Sequence, residues 1–510
     1  MIFKKCNKKI SVLSLLISLL LLINMFASVS VSKNVSSSIN QIEDSEYFFI
    51  KNNSEEWFDG SFQGRWGKQK DCLDGEIRGN INLGRRSSVG YFVGNWDSFD
   101  NKSYGSFKGR FRNHFLIGSV STNKDEKSYF MGLLNFNDTN FNAIIFGLKI
   151  KISFIYGEYE ASFMPKLSGP YGVGVKDMHL IDESRLEEFT PDDPYDFREM
   201  MVRLWYPIDK EIKEPRVDYM DQPTFSWLMG RSPIPLITIP KNAYLFVRPH
   251  GKDVIPISDA EEMYPVIIFS PGYNGVYQIY TSLIEDIVSN GFIVASINHP
   301  YISGITVFPD GREVYVAQGY PGNLSIRSVV EDAKFVLDEI TEMNISSPDF
   351  KGRFDLSKVG MYGHSFGGAS TAICCYEDGR FLCGITLDGV FYLDYTPEGL
   401  DKPFMLMIAE QSYDLFNAPE IWIKLNGDAY KVIINGSTHY CFTDVGILLK
   451  HFVPFIPIRL LMFGTIEPKR HVNITKAFEL VFFEVYLKGR PVVDLIALGS
   501  EYDDVQFEFK

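Results

Sequence analysis

Hydrophobic and polar positions divide the chain into three successive regimes. In the first, Ile10 to Ala27 is almost wholly apolar, and Lys4, Lys5, Lys8 and Lys9 precede it with no acid among them. A basic stretch followed by such a run predicts an export signal over 1–27, with cleavage near Ala27–Ser30. Left uncleaved, the run is long enough to serve as an N-terminal anchor in a bilayer. Either outcome takes the rest of the chain out of the cytosol, to a secreted or cell-surface location. Cys6 lies before the apolar run rather than after it, which argues against a lipoprotein anchor.

A Ser-rich linker over 28–57 leads into the second regime, where apolar and polar positions alternate with period two. GSFQG at 60–64, GEIRG at 75–79, GYFVG at 90–94 and GSFKG at 105–109 recur every 15 residues, as do Trp66, Ile81, Trp96 and Phe111. Alternation puts Gly and the aromatic residues on one strand face and Ser, Gln, Arg and Lys on the other. Glycines beside each aromatic leave room for its ring to lie across neighbouring backbone. The pattern predicts a β-rich repeat domain over 58–165, either a meander or a short solenoid whose units bury one face by stacking. Its phase drifts beyond Gly118. It carries no spacing suited to a catalytic triad, a metal or a phosphate, so a spacer or adhesion module is the plain reading. A lipid- or ligand-binding role through exposed aromatics is the sharper one.

The third regime, 166–510, alternates short apolar runs with amphipathic stretches. YPVIIFS (264–270) and FIVASIN (292–298) are apolar throughout, as strands buried on both faces are. RSVVEDAKFVLDEITEM has helical spacing, and KVGMYG, FLCGITLD, PFMLMIAE and AYKVIIN supply further strands. Such alternation predicts an α/β domain with a mostly parallel sheet flanked by helices. The Pro-rich, aromatic text between Glu214 and Met263 fits neither period and is read as an insertion over the sheet's carboxyl edge.

Chemistry concentrates in this third regime. Gly363-His364-Ser365-Phe366-Gly367 follows a strand and opens a helix-like segment, the context that a nucleophile elbow requires. Glycines flank the serine because strand and helix pass too closely for β-carbons. An elbow serine needs a base held by an acid, in the chain order Ser, acid, His. His439, in a loop after the strand KVIIN, is the candidate base; His451 in an apolar stretch and His471 after a basic pair read as structural. Asp388, ending the strand FLCGITLD, is the candidate acid, with Asp394 and Asp401 as loop alternatives. The oxyanion hole needs two backbone N–H groups. Phe366, after the nucleophile, is one donor; Tyr273, in the FSPGYNG loop after YPVII, is the other.

Charge and cysteine content narrow the partners. Fifty Lys and Arg against 64 Asp and Glu give −14, and loss of the four leader lysines takes this to −18. So acidic a chain is a poor match for nucleic acid, whose phosphates need a basic surface. Six cysteines in 510 residues are too few for a disulfide framework. Buried free thiols are expected, with a bridge from Cys374 or Cys375 to Cys383 open after export. No ligand spacing for a metal is present, and no cofactor is expected. Nothing in the sequence bears on oligomeric state.

RLWYP, an FS-x-G turn, GHSFGGAS, LDG and GSTHYCFTD, in that order, resemble the secreted-type platelet-activating-factor acetylhydrolase family of α/β-hydrolases. The likeness runs from about Leu167 to Arg490. It implies Ser365 as nucleophile, Asp388 as acid, His439 as base, and the Tyr273 and Phe366 amides as oxyanion hole. It also implies calcium-independent removal of short or oxidised acyl groups from phospholipids, without a metal. Two departures stand out. The family commonly has His-Gly where this chain has Pro271-Gly272, a form shared with cutinase-like polyesterases, and the repeat domain is additional. A polyesterase or general carboxylesterase is therefore the alternative, and a non-catalytic adhesion protein the second. The apolar stretch from Ile447 to Phe463 is expected either to pack on the core or to form a rim that contacts lipid.

Overall fold

The structure, a computed structural model, describes residues 60–510 apart from 231–246, 453–461 and several shorter loops. The stretch read as an export signal and the Ser-rich linker lie outside the described residues.

The repeat forms a barrel rather than a solenoid. Its strands are β1 (Gly60–Gly67), β2 (Gly75–Leu83), β3 (Val89–Ser98), β4 (Tyr104–Arg112), β5 (Phe115–Thr122), β6 (Lys127–Asn137), β7 (Asn140–Phe146) and β8 (Ser153–Ala161). They pair antiparallel in chain order, and β8 closes back onto β1. A 15-residue period is one strand plus one turn, so successive copies run in opposite directions. Closure leaves no edge strand, and a barrel of eight strands has an interior that side chains can fill. Phe62, Ile77, Ile81, Phe111, Leu116 and Phe130 are buried within it. The glycines make this possible. A β-carbon on Gly79 would lie 2.2 Å from the Val93 carbonyl oxygen and 2.9 Å from the Phe62 ring. One on Gly94 would meet the Arg78 carbonyl at 2.4 Å and the Phe107 ring at 2.9 Å.

Beyond the barrel a ten-stranded mixed sheet runs in the order β11-β9-β10-β13-β12-β16-β17-β18-β19-β20. Its strands are β9 (Gly172–Leu186), β10 (Phe197–Ile208), β11 (Gly251–Asp253), β12 (Tyr264–Ser270), β13 (Ile293–Asn298), β16 (Phe354–His364), β17 (Phe381–Leu387), β18 (Phe404–Ala409), β19 (Ala429–Ile434) and β20 (Val505–Phe509). The six central strands, from β13 to β19, are parallel; β10 runs antiparallel to β13 and β9, β20 runs antiparallel to β19, and β11 pairs parallel with β9. A separate hairpin joins β14 (Ile305–Val307) to β15 (Glu313–Tyr315).

Helices cover both faces: α1 (Gln222–Gly230), α2 (Thr281–Ser289), α3 (Gly322–Ser346), α4 (Phe366–Glu377), α5 (Ala418–Lys424), α6 (Val445–Phe452), α7 (Pro468–Lys488) and α8 (Val492–Leu498). The apolar strands divide their side chains between the two layers. In β12, Ile267 and Phe269 pack with residues of α2 and α7, whereas Val266 and Ile268 pack with residues of α3 and α4. A strand buried on both faces has no polar side to alternate with, which is why these runs are apolar throughout. Among the described residues, no helix is long and apolar enough to cross a membrane.

Three expectations are refined. Part of the 214–263 stretch does not overlie the sheet: its residues 251–253 form β11, which widens the sheet by pairing with β9. Cys374, Cys375, Cys383 and Cys441 are free and buried, so the open bridge to Cys383 is not formed. Of the apolar stretch after His439, Ile447, Leu448 and Phe463 are buried against the core. Residues 453–461, including Phe455, lie outside the described residues.

Candidate active site

The site is built where β12, β16, β17 and β19 end. Ser365 joins β16 to α4 with φ 54° and ψ −114°. Left-handed backbone at a residue with a β-carbon costs about 1–3 kcal/mol and persists only where surrounding structure enforces it. Two glycines enforce it here. A β-carbon on Gly363 would lie 2.4 Å from Gly367 carbonyl atoms, and one on Gly367 would lie 2.0 Å from the Ser270 carbonyl oxygen. The Ser365 N–H donates to Leu387 O at 2.8 Å, tying the elbow to β17. Asp388, with φ 50°, and Asn274, with φ 59°, are also left-handed. Backbone strain thus gathers around this sheet edge.

Asp388 and His439 meet. Nδ1–H of His439 donates to Asp388 Oδ2 at 2.6 Å. The carboxylate is fully buried, yet neither oxygen is without a donor. Its Oδ1 accepts from the Ala409 N–H at 2.8 Å, and its Oδ2 also accepts from Ser412 Oγ at 2.7 Å. With Nδ1 committed to the acid, Nε2 is the nitrogen left for a proton transfer. Asp394 lies in a short helical turn, Leu393–Tyr395, and Asp401 accepts from Asn426 at 3.1 Å, whereas Asp388 is the acid bonded to His439 Nδ1. His471 is buried in α7 against Phe442, at a ring separation of 4.6 Å. His451 lies in α6, and its side chain is outside the described set.

The Pro271-Gly272 loop abuts the elbow: a β-carbon on Gly272 would sit 3.1 Å from Ser365 Cβ. The Tyr273 ring meets Phe366 edge-on at 5.9 Å, and the Tyr273 hydroxyl donates to Ala317 O at 3.3 Å. Phe366 is the first residue of α4, so its amide is one of those that a helix N-terminus leaves without an intrahelical acceptor. The two residues chosen from sequence for their amides thus meet ring to ring, and one of them, Phe366, directly follows Ser365 in the chain.

Two groups of residues escaped the sequence reading. His364, the motif's second residue, is buried and takes part in a relay. The Gly272 N–H donates to the Tyr280 hydroxyl at 3.3 Å, and that hydroxyl donates to His364 Nδ1 at 2.9 Å. His364 Nε2–H then donates to the His439 carbonyl at 3.0 Å. Burial, and next the neighbouring His439, hold the His364 imidazole well below its ordinary pKa, so it is neutral, as this relay requires. Nothing in G-x-S-x-G reserves that position for such a role.

The second group underlies the oxyanion loop. Asp332 accepts from Arg198 Nη2 at 2.6 Å, Arg185 Nη2 at 2.9 Å and His299 Nδ1 at 2.8 Å. His299 Nε2 lies 3.3 Å from Ser270 Oγ, one residue before Pro271. Burial works to raise the Asp332 carboxyl, but Arg198 and His299 outweigh it and hold it well below the carboxylate range. A buried cation paired this closely is strongly destabilising to break. Among the described residues, no cluster of three or more His, Cys, Asp or Glu could hold a metal.

Comparison with known proteins gives a consistent picture. A family model described as platelet-activating factor acetylhydrolase, isoform II, matches residues 156–338 and 323–491. The platelet-activating factor acetylhydrolase of Cavia porcellus is 25% identical over 377 residues, which is 66% of this chain and 81% of that protein. That of Canis lupus familiaris is 26% identical over 389 residues, covering 68% and 82%. A probable 1-alkyl-2-acetylglycerophosphocholine esterase of Arthroderma benhamiae is 27% identical over 268 residues, covering 48% and 66%. Among solved structures, a ferulic acid esterase from Streptomyces cinnamoneus superposes with a TM-score of 0.59 at 28% identity, over 68% of this chain and 98% of that one.

Proposed function

The chain belongs to the platelet-activating factor acetylhydrolase isoform II family and is an ester hydrolase, and on that premise we propose that it works through an acyl-enzyme on Ser365. His439 removes the Ser365 proton as the hydroxyl attacks the ester carbonyl, and the Tyr273 and Phe366 amides bind the oxyanion. The alcohol leaves with the proton from His439. Water activated by the same imidazole then releases the acid. Asp388 fixes the imidazole tautomer and stabilises its charged form. The observation that carries this reading is the 2.6 Å His439–Asp388 hydrogen bond beside a left-handed elbow serine.

The proposed substrate is a glycerophospholipid with a short or oxidised acyl chain at its second position. Support comes from the names of the relatives, two platelet-activating factor acetylhydrolases and a probable 1-alkyl-2-acetylglycerophosphocholine esterase. The enzyme is proposed to act outside the cytosol, given the basic-then-apolar start of the sequence. One observation favours a second substrate class: Pro271-Gly272 in the oxyanion loop, together with the likeness to a ferulic acid esterase. Assaying the protein on 1-alkyl-2-acetylglycerophosphocholine, longer-chain phosphatidylcholine, p-nitrophenyl esters and methyl ferulate decides between them. A kcat/KM at least tenfold higher on the acetyl phospholipid than on ferulate supports the first reading; the reverse order establishes the second.

A further inference from the structure

The outside of the barrel is not uniform. On β1 and β2 the outward positions are polar, and neighbouring strands offset one another's charge, with Arg65 4.0 Å from Glu76 and Arg78 3.7 Å from Asp97 of β3. Over part of β5 to β7 they are apolar. Phe115 and Ile117 of β5, Tyr129, Met131 and Leu133 of β6, and Ile144 of β7 are all exposed, from 40% at Ile144 to 61% at Ile117.

Register makes these residues one surface. Phe115 pairs with Leu133, and Leu133 with Ile144. Ile117 pairs with Met131 in the adjacent row, and Tyr129 lies opposite Ser119 in the next. Cross-strand partners stand about 4.5–5.5 Å apart, so the side chains touch in an unbroken patch. A soluble monomer rarely leaves such a patch to water, and a larger one marks a contact site. Burying Phe62, Phe92, Phe107 and Phe130 inside already gives the barrel its core, so folding does not call for these outer residues.

The border of the patch is charged in a regular way. Each row continues onto β4 with a cation: Arg112 opposite Phe115, Arg110 opposite Ile117 and Lys108 opposite Ser119. On the side of β6 toward the turn, Lys127 Nζ lies 5.4 Å from the Tyr129 ring centroid. In a chain of net charge −14, the cations Lys108 and Arg110 beside an apolar face are a local reversal of sign. Apolar side chains that enter the acyl boundary, an aromatic hydroxyl at headgroup depth and cations against phosphates are what an anionic bilayer surface recognises. A protein partner would match the apolar patch equally well, but the cationic edge selects for negative charge spread beside an apolar layer.

We propose that the β5–β7 face of the barrel docks on an anionic phospholipid surface, with Phe115, Ile117, Met131, Leu133 and Ile144 entering it and Lys108 and Arg110 meeting its headgroups. Docking concentrates the enzyme at that phospholipid surface and takes no part in the chemistry.

The test uses the full chain and two kinds of vesicle, phosphatidylcholine alone and phosphatidylcholine with one-fifth phosphatidylserine. An environment-sensitive fluorophore is placed at Ile117→Cys and, as a control on the polar side, at Arg78→Cys. Serine-containing vesicles should shift the emission of the first to the blue and leave the second unchanged. The double variant I117S/L133S should bind those vesicles at least tenfold more weakly at unchanged turnover of a water-soluble ester. Arg110→Glu should weaken binding to the anionic vesicles alone, and 0.5 M salt should do the same. The proposal is overturned if neither label shifts, if both shift alike, or if I117S/L133S binds as the parent does. It is also overturned if that variant changes only the oligomeric state in size-exclusion chromatography, which would make the face a contact between copies. Should I117S/L133S fail to fold, Met131→Glu, at a single exposed position, reads the same effect.

Discussion

His364 and His439 lie ring over ring, with centroids 4.4 Å apart, and the buried one holds the backbone of the other. The same His364 takes a hydrogen bond from Tyr280, whose hydroxyl accepts from Gly272 in the oxyanion loop. Base, elbow and oxyanion loop are therefore connected by a single chain of hydrogen bonds in which each ring nitrogen of His364 has a partner.

This arrangement makes His364 a positioning residue with a distinctive signature. Replacing it with Leu should lower kcat on a soluble ester by about 10-fold or more, the scale at which catalytic geometry is lost through a small displacement. KM should hold, because His364 is buried away from substrate. His364→Gln, whose amide can still donate to the His439 carbonyl, should recover most of kcat. If both variants lose kcat equally, or if KM rises while kcat holds, the relay does not position the base.

Asp388→Asn should leave the fold intact and cost on the order of 10⁴ in kcat, because an amide favours the wrong imidazole tautomer. Asp394→Asn and Asp401→Asn should be near wild type, since Asp388 is the acid that holds Nδ1 of His439. A crippling effect from either of those two would reassign the acid.

The barrel should be separable from the chemistry. In Gly79→Val the new side chain meets the Val93 carbonyl and the Gly94 backbone, neither of which can move aside cheaply. Barrel stability should fall, visible as an added low-temperature step in thermal unfolding, while turnover of a soluble ester persists at a temperature below that step. Loss of turnover in parallel with the barrel would show that the repeats complete the active site.

Acid stability should carry the mark of His471. Burial pushes its imidazole down to about 3, from an ordinary value of 6.5. Between those values the unfolded chain binds a proton that the native state refuses, so this residue's contribution is complete above pH 6.5 and is lost as pH falls, by about 1.4 kcal/mol per unit. Asp444, pushed up to about 7, and Glu285, to about 8, both by burial, act in the opposite sense as pH rises. The comparison between proteins isolates the histidine: the Tm of His471→Gln should fall less than the parent's from pH 7 to pH 5. Equal falls would mean that His471 takes up its proton while folded.

Much of this site was legible because its geometry is local or ordered along the chain. Gly363, Ser365 and Gly367 declare an elbow by spacing alone, and Asp388 and His439 follow in order at the ends of two apolar strands. Barrel closure was not legible. The 15-residue period reports which face each residue takes, but strand number and stagger depend on how β8 meets β1, whose paired residues, such as Phe62 and Tyr159, lie at opposite ends of the barrel sequence. Residues that act through distant partners were equally hidden. Arg198, His299 and Asp332 come from separate elements and form a site only once the sheet is assembled. The edge strand β20 escaped because Val505–Phe509 has only five residues, with Gln and Glu between its apolar positions.

The central claim is that Ser365 is the nucleophile, and covalent labelling tests it most directly. The protein is treated with a fluorophosphonate, digested, and the modified residue identified by mass spectrometry, in parallel with Ser365→Ala. The account predicts one modified residue, Ser365, with loss of ester hydrolysis in proportion to labelling. It predicts that Ser365→Ala neither labels nor turns over substrate, a loss on the order of 10⁴–10⁶. A label on any other residue that tracks inactivation, or a Ser365→Ala protein that keeps a tenth of the parent's activity, contradicts it.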